Sequence, residues 1–218
     1  MKMRKGLLFL PFLLLLVGAF ISCEEVEEAG KYDNWRERNE AFADSIKRLT
    51  GENYVATAEQ ADAMELGKLY AIQTTASTTE GAQYVYCKKL VKNETGERPL
   101  YTGYHSKVNA YYYGTYVNGE KFGGNFYGYS AIDRTIPIPP LKEPTEFDSY
   151  TAFEISSSTL TPGRIAALQF MRMGERWMLY IPYQSGYGYN DNTPIGSSTT
   201  IPGGSALTFD IVLDSFVE

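Results

Sequence analysis

The spacing of apolar residues changes along this chain, and each change predicts a different kind of element. Residues 7–21 are almost all apolar and follow a basic start at Lys2, Arg4 and Lys5. Between residues 33 and 49, apolar residues recur at the spacing of a helix with one buried face. From Leu69 onward, apolar and polar residues alternate, and this period predicts β-strands.

Two helices are predicted ahead of the strands. The first begins at Asp33 or Asn34 and is stopped by Gly51. Its apolar residues share one face: Trp35, Phe42, Ile46 and Leu49. The second begins after Thr57, because Thr57 and Gln60 form the pattern of a capping box. We expect the apolar faces of these helices to pack on the main domain or on a partner.

The alternating segments predict one sheet and one helix. Strands are predicted at residues 70–74, 84–91, 107–117, 150–155, 177–181 and 206–217. Asn118-Gly119 predicts a tight hairpin turn, and residues 164–171 predict a short helix. Residues 123–148 lack a clear period and are rich in proline, so we expect a long loop there. The predicted fold class is α+β, with a twisted antiparallel sheet of about five or six strands wrapped around one short helix.

The N-terminal segment predicts export. Its basic start, apolar stretch and Ser22-Cys23 resemble the signal peptide of a bacterial lipoprotein, so we expect residues 1–22 to be removed and Cys23 to carry lipid. An ordinary signal peptide with a chance cysteine is the alternative. The acidic tether at residues 23–32 resembles the export tag of Bacteroidetes surface lipoproteins, or is a solvated linker. We expect the protein to be anchored to the outer membrane, on its periplasmic or outer side.

Charge and the reactive side chains argue against several functions. The net charge is −6, so no nucleic-acid partner is expected. The single histidine, His105, lies in a polar turn where we expect it to be solvent-exposed, and neither cysteine has a partner at metal-binding spacing. Asp148 and Glu154 lack the context of a glycosidase pair. We therefore expect no metal site and no cofactor, and nothing in the sequence indicates the oligomeric state.

Several segments, taken together, are similar to one known family. The matching segments are Tyr-Tyr-Tyr-Gly at 111–114, Asn-Gly-Glu-Lys-Phe at 118–122, and residues 167–174, 183–188 and 201–213. They resemble the FKBP-type peptidyl-prolyl cis-trans isomerases over about residues 84–217. The resemblance implies an FKBP-like domain at residues 76–218, with an insertion at about 123–148 and a helical extension at 33–75 before it.

The activity that this resemblance implies needs neither a nucleophile nor a metal. Rotation about a peptide bond must overcome a barrier of roughly 18–20 kcal/mol, because the planar amide has partial double-bond character. A dry, apolar pocket disfavours the more polar planar form relative to the twisted one. The implied substrate is therefore a proline-containing polypeptide, and the implied site is a ring of aromatic side chains on a curved sheet.

The resemblance also implies which residues form that site. Five aromatic residues would surround the proline ring: Tyr112, Phe122, Phe153, Tyr187 and Phe209. Leu160 matches an aliphatic wall position, and Thr161 matches the position whose backbone N–H receives the substrate carbonyl. The hydroxyl of Tyr187 would reach the bound ligand.

Two pocket positions depart from the family pattern. Gly123 stands where the family typically has Asp, and Arg164 stands where it typically has the Trp on which the proline ring rests. A guanidinium buried without a partner costs several kcal/mol, so Arg164 is expected to swing out to solvent or to pair with a carboxylate or an aromatic face. The insertion at 123–148 is expected to border the pocket, and from that position the insertion could cover the pocket.

Two further functions stay open at this stage. Gly123 and Arg164 favour a non-catalytic peptide-binding module on the same scaffold. A surface protein that binds glycans is a second alternative, which rests on tyrosines in two loops. These residues are Tyr127, Tyr129, Tyr187 and Tyr189.

Overall fold

The structure, a computed structural model, describes residues 30–79, 81–137, 141–195 and 197–217. The predicted signal peptide, Cys23 and most of the predicted tether lie outside the described residues, so lipid attachment stays a prediction. The chain divides after Asp33, and all described helices and strands lie in the second unit, Asn34–Glu218. No helix within the described ranges is long and apolar enough to cross a bilayer.

Three helices and one short 3₁₀ turn are described. They are α1 (Trp35–Thr50), α2 (Ala58–Asp62), α3 (Pro162–Phe170) and the turn Tyr183–Ser185. The capping box predicted at the start of α2 is present, because Thr57 Oγ1 accepts from the Gln60 N–H and Gln60 Oε1 accepts from the Thr57 N–H, each at 3.3 Å. The second predicted helix therefore begins where its sequence indicates.

Eight strands form one sheet. They are β1 (Tyr54–Val55), β2 (Leu69–Thr78), β3 (Gly81–Val91), β4 (Lys107–Tyr116), β5 (Lys121–Gly124), β6 (Thr151–Glu154), β7 (Arg176–Ile181) and β8 (Leu207–Phe216). Their order is β1-β2-β3-β7-β8-β4-β5, and β6 pairs with β4. Every pair is antiparallel except β1 with β2, which is parallel.

The predicted α+β class is confirmed, and the sheet has more strands than the sequence indicates. The short strands β1 and β5 are the reason, because each pairs at one end of the sheet and is too brief to show a period. The turn at Asn118-Gly119 joins β4 to β5, and Gly119 takes the positive φ of 83° that a tight hairpin requires. These two strands therefore form the predicted hairpin.

Helix α3 lies on one face of the sheet. Thr161 caps its first turn, and Pro162 follows at a position where a missing N–H costs nothing. Gly163 lets the helix approach β7, since a Cβ there would lie 2.7 Å from Ile181 Cγ2. Beneath the helix, Trp177, Leu179 and Phe209 belong to the main hydrophobic core.

The opposite face of the sheet is also covered. Met178 and Tyr180, which alternate with the residues under α3, are buried in a second cluster. Phe42 and Ile46 of α1 pack on this cluster from one side, and Tyr129, Ile136 and Leu141 of the predicted insertion are associated with it as well. Leu49 does not pack with Phe42 and Ile46 as predicted, because the residue is 68 % exposed.

The insertion is held on this second face by a buried carboxylate. Asp210 accepts hydrogen bonds from the Tyr129 N–H at 2.8 Å and from Arg176 Nε at 2.8 Å. Arg176 also donates to the backbone carbonyl of Lys142, at the far end of the insertion. Gly123, the first residue of the insertion, lines the cavity beneath α3, so the insertion borders the pocket at that end. No other described residue of the insertion lines the cavity, so the described part of the insertion does not cover it. Its apolar side chains pack instead in the second cluster, which contains Met178 and Tyr180 and is also covered by α1.

Candidate active site

A cavity of about 400 Å³ opens between the end of the sheet that contains β4 and β5 and the first turn of α3. Strands β4, β5, β6 and β8 and the loops around residues 187 and 195 supply its walls. Its lining is mostly aromatic and aliphatic. Among the described residues, Arg164 is the charged exception in the lining, which contains no Asp or Glu.

The predicted aromatic residues meet at this cavity. All five line it, and Leu160 lines it as well. The rings of Tyr112 and Phe153 lie edge to face with centroids 5.5 Å apart, and Phe122 and Phe209 do the same at 5.3 Å. Edge-to-face contacts of this kind add about 0.5–1.5 kcal/mol per pair beyond the buried area. The rings therefore brace one another, although their role in binding is still a prediction.

The backbone explains how two of these rings come together. Phe209 on β8 pairs with Gly114 on β4, where a side chain is absent. A Cβ at Gly114 would lie 2.7 Å from the Phe122 ring and 3.2 Å from the Phe209 ring. Gly114 thus leaves the space in which Phe122 packs against Phe209.

Thr161 takes a different position from the other predicted residues. It is 2 % exposed and does not line the cavity. Its side-chain oxygen accepts from the Arg164 N–H at 3.4 Å and so caps α3. No acceptor for the Thr161 N–H exists among the described residues. A role for that N–H as anchor of a substrate carbonyl stays a prediction.

Arg164 points into the cavity region and does not swing out to solvent. The residue is 7 % exposed, and its Nη2 donates to the Thr159 carbonyl and to the Tyr187 hydroxyl, each at 3.2 Å. Its guanidinium carbon lies 5.0 Å from the centre of the Phe209 ring and 5.8 Å from that of Phe153. Burial lowers the pKa of the guanidinium, while the nearby Tyr187 and Tyr112 act in the opposite direction.

Of the partners expected for a buried Arg164, the structure shows aromatic faces. In the part of the chain that is described, no carboxylate forms an ion pair with it. Gly123 leaves the adjoining wall open, since a Cβ there would meet only the Tyr112 ring, at 3.8 Å. The site thus combines an apolar cup with one buried positive charge.

A comparison with known proteins identifies the family. The model of the FKBP-type peptidyl-prolyl cis-trans isomerases matches residues 103–214, more than half of the 218-residue chain. The chain belongs to this family. The matched region includes β4, α3, β8 up to residue 214 and every predicted pocket residue.

Individual relatives and structures are similar to this FKBP-type chain. FK506-binding protein 2 of Dictyostelium discoideum is 30 % identical over 123 residues, which cover 56 % of this chain and 74 % of that protein. The structure of FkpA from Escherichia coli shares 18 % identity at a TM-score of 0.47, covering 98 % of this chain and 73 % of that one. The wheat FKBP73 structure with three FKBP domains shares 18 % at 0.45, covering 67 % of this chain and about half, 51 %, of that one.

The FKBP-type cavity also has walls that the sequence did not indicate. They are Thr151, Ala152, Thr159, Pro194, Ile195, Ser197 and Ile201. Thr151 and Ala152 belong to β6, which pairs with β4 and so reaches the site. Pro194 and Ile195 lie in a loop without any period, and Ile195 is 84 % exposed. Ile201 differs from the other six residues, because it is the first residue of the segment 201–213, which resembles the family, although the sequence did not assign it to the pocket.

Two other sequence-based expectations differ from the structure. His105 is only partly exposed, because its ring stacks on Phe216 with centroids 3.9 Å apart. The four loop tyrosines do not share one exposed surface: Tyr129 is 5 % exposed, whereas Tyr127 is 70 % exposed and Tyr187 lines the cavity. The glycan-binding alternative therefore loses the cluster of exposed tyrosines on which it rested.

Proposed function

We propose that this FKBP-type domain is a peptidyl-prolyl cis-trans isomerase that acts on proline-containing segments of exported proteins, with an activity reduced by its divergent pocket. The family supports isomerase function in general. The observation that carries the specific proposal is the convergence of five aromatic side chains on one cavity of about 400 Å³. The export signal predicted at residues 1–22 is the basis for exported substrates.

The proposed mechanism relies on shape and on the removal of water. A proline ring placed between Phe122, Phe153 and Phe209 leaves the preceding amide in an apolar environment, which favours its twisted form. The Tyr187 hydroxyl lies at the wall and can donate to a substrate carbonyl while it accepts from Arg164. The Thr161 N–H is the proposed second anchor, which would hold one half of the amide while the other half rotates.

Arg164 argues for a reduced rate. A cation in the cavity wall keeps the site polar, and polar surroundings stabilise the planar amide more than the less polar twisted form, which raises the barrier. The same observation favours a second candidate, a peptide-binding module without catalysis. The two candidates differ in one measurable property, because only the isomerase accelerates cis-trans exchange at a proline bond.

The test is an isomerisation assay on a short proline peptide, comparing Phe153→Ala with Phe147→Ala. Phe153 is half-buried in the cavity wall, so we expect its loss to reduce kcat/KM at least about tenfold, which corresponds to about 1.4 kcal/mol. Phe147 is 89 % exposed in the preceding loop and serves as the matched control. Circular dichroism verifies that both variants fold.

The outcomes separate the candidates. The isomerase is supported if the wild type accelerates exchange, Phe153→Ala loses this acceleration and Phe147→Ala keeps it. Peptide binding without acceleration supports the non-catalytic module. A wild-type protein that shows no acceleration and no proline-dependent binding would overturn both proposals.

A further inference from the structure

The cavity contains a positive charge that the protein itself does not neutralise. Arg164 is buried, and its hydrogen bonds go to two neutral oxygens, those of the Thr159 carbonyl and the Tyr187 hydroxyl. Its Nε is buried without an acceptor. Burying a charge that lacks an opposite partner costs free energy, which ring faces at 5.0 and 5.8 Å offset only in part.

One edge of this guanidinium is available to a ligand. Nη1 makes no hydrogen bond within the described residues and, unlike Nε, is not sealed from solvent. Arg164 also lines the cavity directly. An oxygen of a bound molecule can therefore reach Nη1 without any rearrangement of the bonds to Thr159 and Tyr187.

The charge pattern indicates the sign of that ligand group. The chain as a whole has a net charge of −6, yet the described lining of the cavity holds Arg164 and no acidic residue. A carboxylate would find a charged donor there in an environment of low polarity, where charge-assisted hydrogen bonds are strong. A neutral ligand would leave the cation buried more deeply and still unpaired.

We propose that the cavity selects peptides in which a carboxylate lies next to the proline and pairs with Arg164. This inference rests on the proposed function, since it assumes that proline occupies the aromatic cup. The carboxylate comes either from an acidic side chain beside the proline or from the C-terminus of a peptide that ends in proline. Both sources present the same group to Nη1, and the experiment distinguishes them.

The test measures affinities for matched pairs of short peptides by isothermal titration calorimetry. One pair has glutamate or glutamine before the proline, with both ends blocked. The other pair ends in proline as a free acid or as an amide. We expect the acid of at least one pair to bind about tenfold tighter or better than its neutral counterpart, because the pair with Arg164 forms only with a carboxylate.

Two variants test whether Arg164 causes the preference for the acidic peptide. Arg164→Met removes the charge at similar length, and we expect it to abolish the difference between acid and neutral peptide. Arg48→Met removes one positive charge from the exposed surface of α1 and should keep the difference. Equal affinities of acid and neutral peptides in both wild-type pairs, or a preference that survives Arg164→Met, would overturn the inference.

A third comparison separates this inference from the proposed function. Each acidic peptide is also measured with alanine in place of proline. Weaker binding of the alanine peptide supports the proline-directed function. Equal binding of the two contradicts that function, while the acid-to-neutral ratio still decides whether Arg164 recognises a carboxylate.

Discussion

At the scale of single residues, Arg164 decides the character of the cavity. Its side chain lies over the rings of Phe209 and Phe153 and lines the cavity. The surrounding rings can be predicted from the sequence, because alternation on β4 and β8 directs Tyr112 and Phe209 inward. The direction of Arg164 cannot, because a long, charged side chain at the start of a helix reaches either solvent or the cavity.

Replacing Arg164 by tryptophan is expected to raise isomerase activity. An indole ring fills the base of the cup with apolar surface and removes the charge that keeps the site polar. We expect kcat/KM on a short proline peptide to rise about tenfold or more, which corresponds to about 1.4 kcal/mol of barrier. Arg164→Lys retains the charge and serves as control. A folded Arg164→Trp protein with unchanged or lower activity would show that the charge does not limit the rate.

At the scale of elements, a cluster of charges holds helix α2 against the domain. Asp62, at the end of α2, accepts from Arg172 Nε at 2.7 Å and from Arg98 Nη2 at 2.5 Å. Arg172 follows α3, and Arg98 precedes β4, so one carboxylate joins three parts of the chain. The hydrogen bonds from Arg172 are the main cause that lowers the pKa of Asp62 below its usual range, and those from Arg98 add to it.

The replacement Asp62→Asn is expected to lower the free energy of unfolding by about 1 kcal/mol at pH 7, since the carboxylate is partly exposed and screened. The pKa of Asp62 is lower in the folded protein, so its contribution is present above the ordinary pKa of 3.8. This contribution is lost as the pH falls below that value toward the lowered pKa. Urea unfolding between pH 7 and pH 2 measures the difference between wild type and variant.

The expected signature is a gap between wild type and Asp62→Asn that closes in acid. Asp44→Asn, on the exposed face of α1, removes a carboxylate without a described ion pair and should show little gap at any pH. A gap for Asp62→Asn that stays constant from pH 7 to pH 2 would contradict the role of its charge.

At the scale of the whole molecule, the sheet carries two layers with separate tasks. Helix α3 and the cavity lie on one face, while Phe42 and Ile46 of α1 and the apolar residues of the insertion cover the other. Asp210 lies on β8 between Phe209 and Ile211, so its side chain points away from the cavity, toward Tyr129 and Arg176. Its carboxylate is fully buried and therefore depends on these partners.

Replacing Asp210 by asparagine is expected to destabilise the protein by about 3–5 kcal/mol, because the buried Arg176 then keeps only the exposed carboxylate of Glu143, at 3.9 Å, as its described ion-pair partner. The insertion should also become more sensitive to trypsin, which cleaves after exposed residues such as Arg134. Urea unfolding and limited proteolysis measure the two effects. Asp214→Asn, exposed on the same strand, is the matched control.

Because the insertion and the cavity lie on opposite faces of the sheet, a change that loosens the insertion should leave peptide affinity unchanged. At a temperature where Asp210→Asn is still folded, its affinity for a proline peptide should match that of the wild type. Loss of peptide binding in the folded variant would show that the insertion and the cavity are coupled, contrary to the arrangement described above.

The sequence by itself determined the family of this protein and its longer helices and strands. Alternation predicts β4 and β8, Asn118-Gly119 predicts the hairpin turn that follows β4, and Thr57 with Gln60 predicts the start of α2, because these signals depend on near neighbours. Only the tertiary structure decided that Arg164 points inward and that the insertion lies opposite the cavity. Both outcomes depend on contacts between distant parts of the chain. The local spacing of apolar residues does not show which distant surfaces will meet.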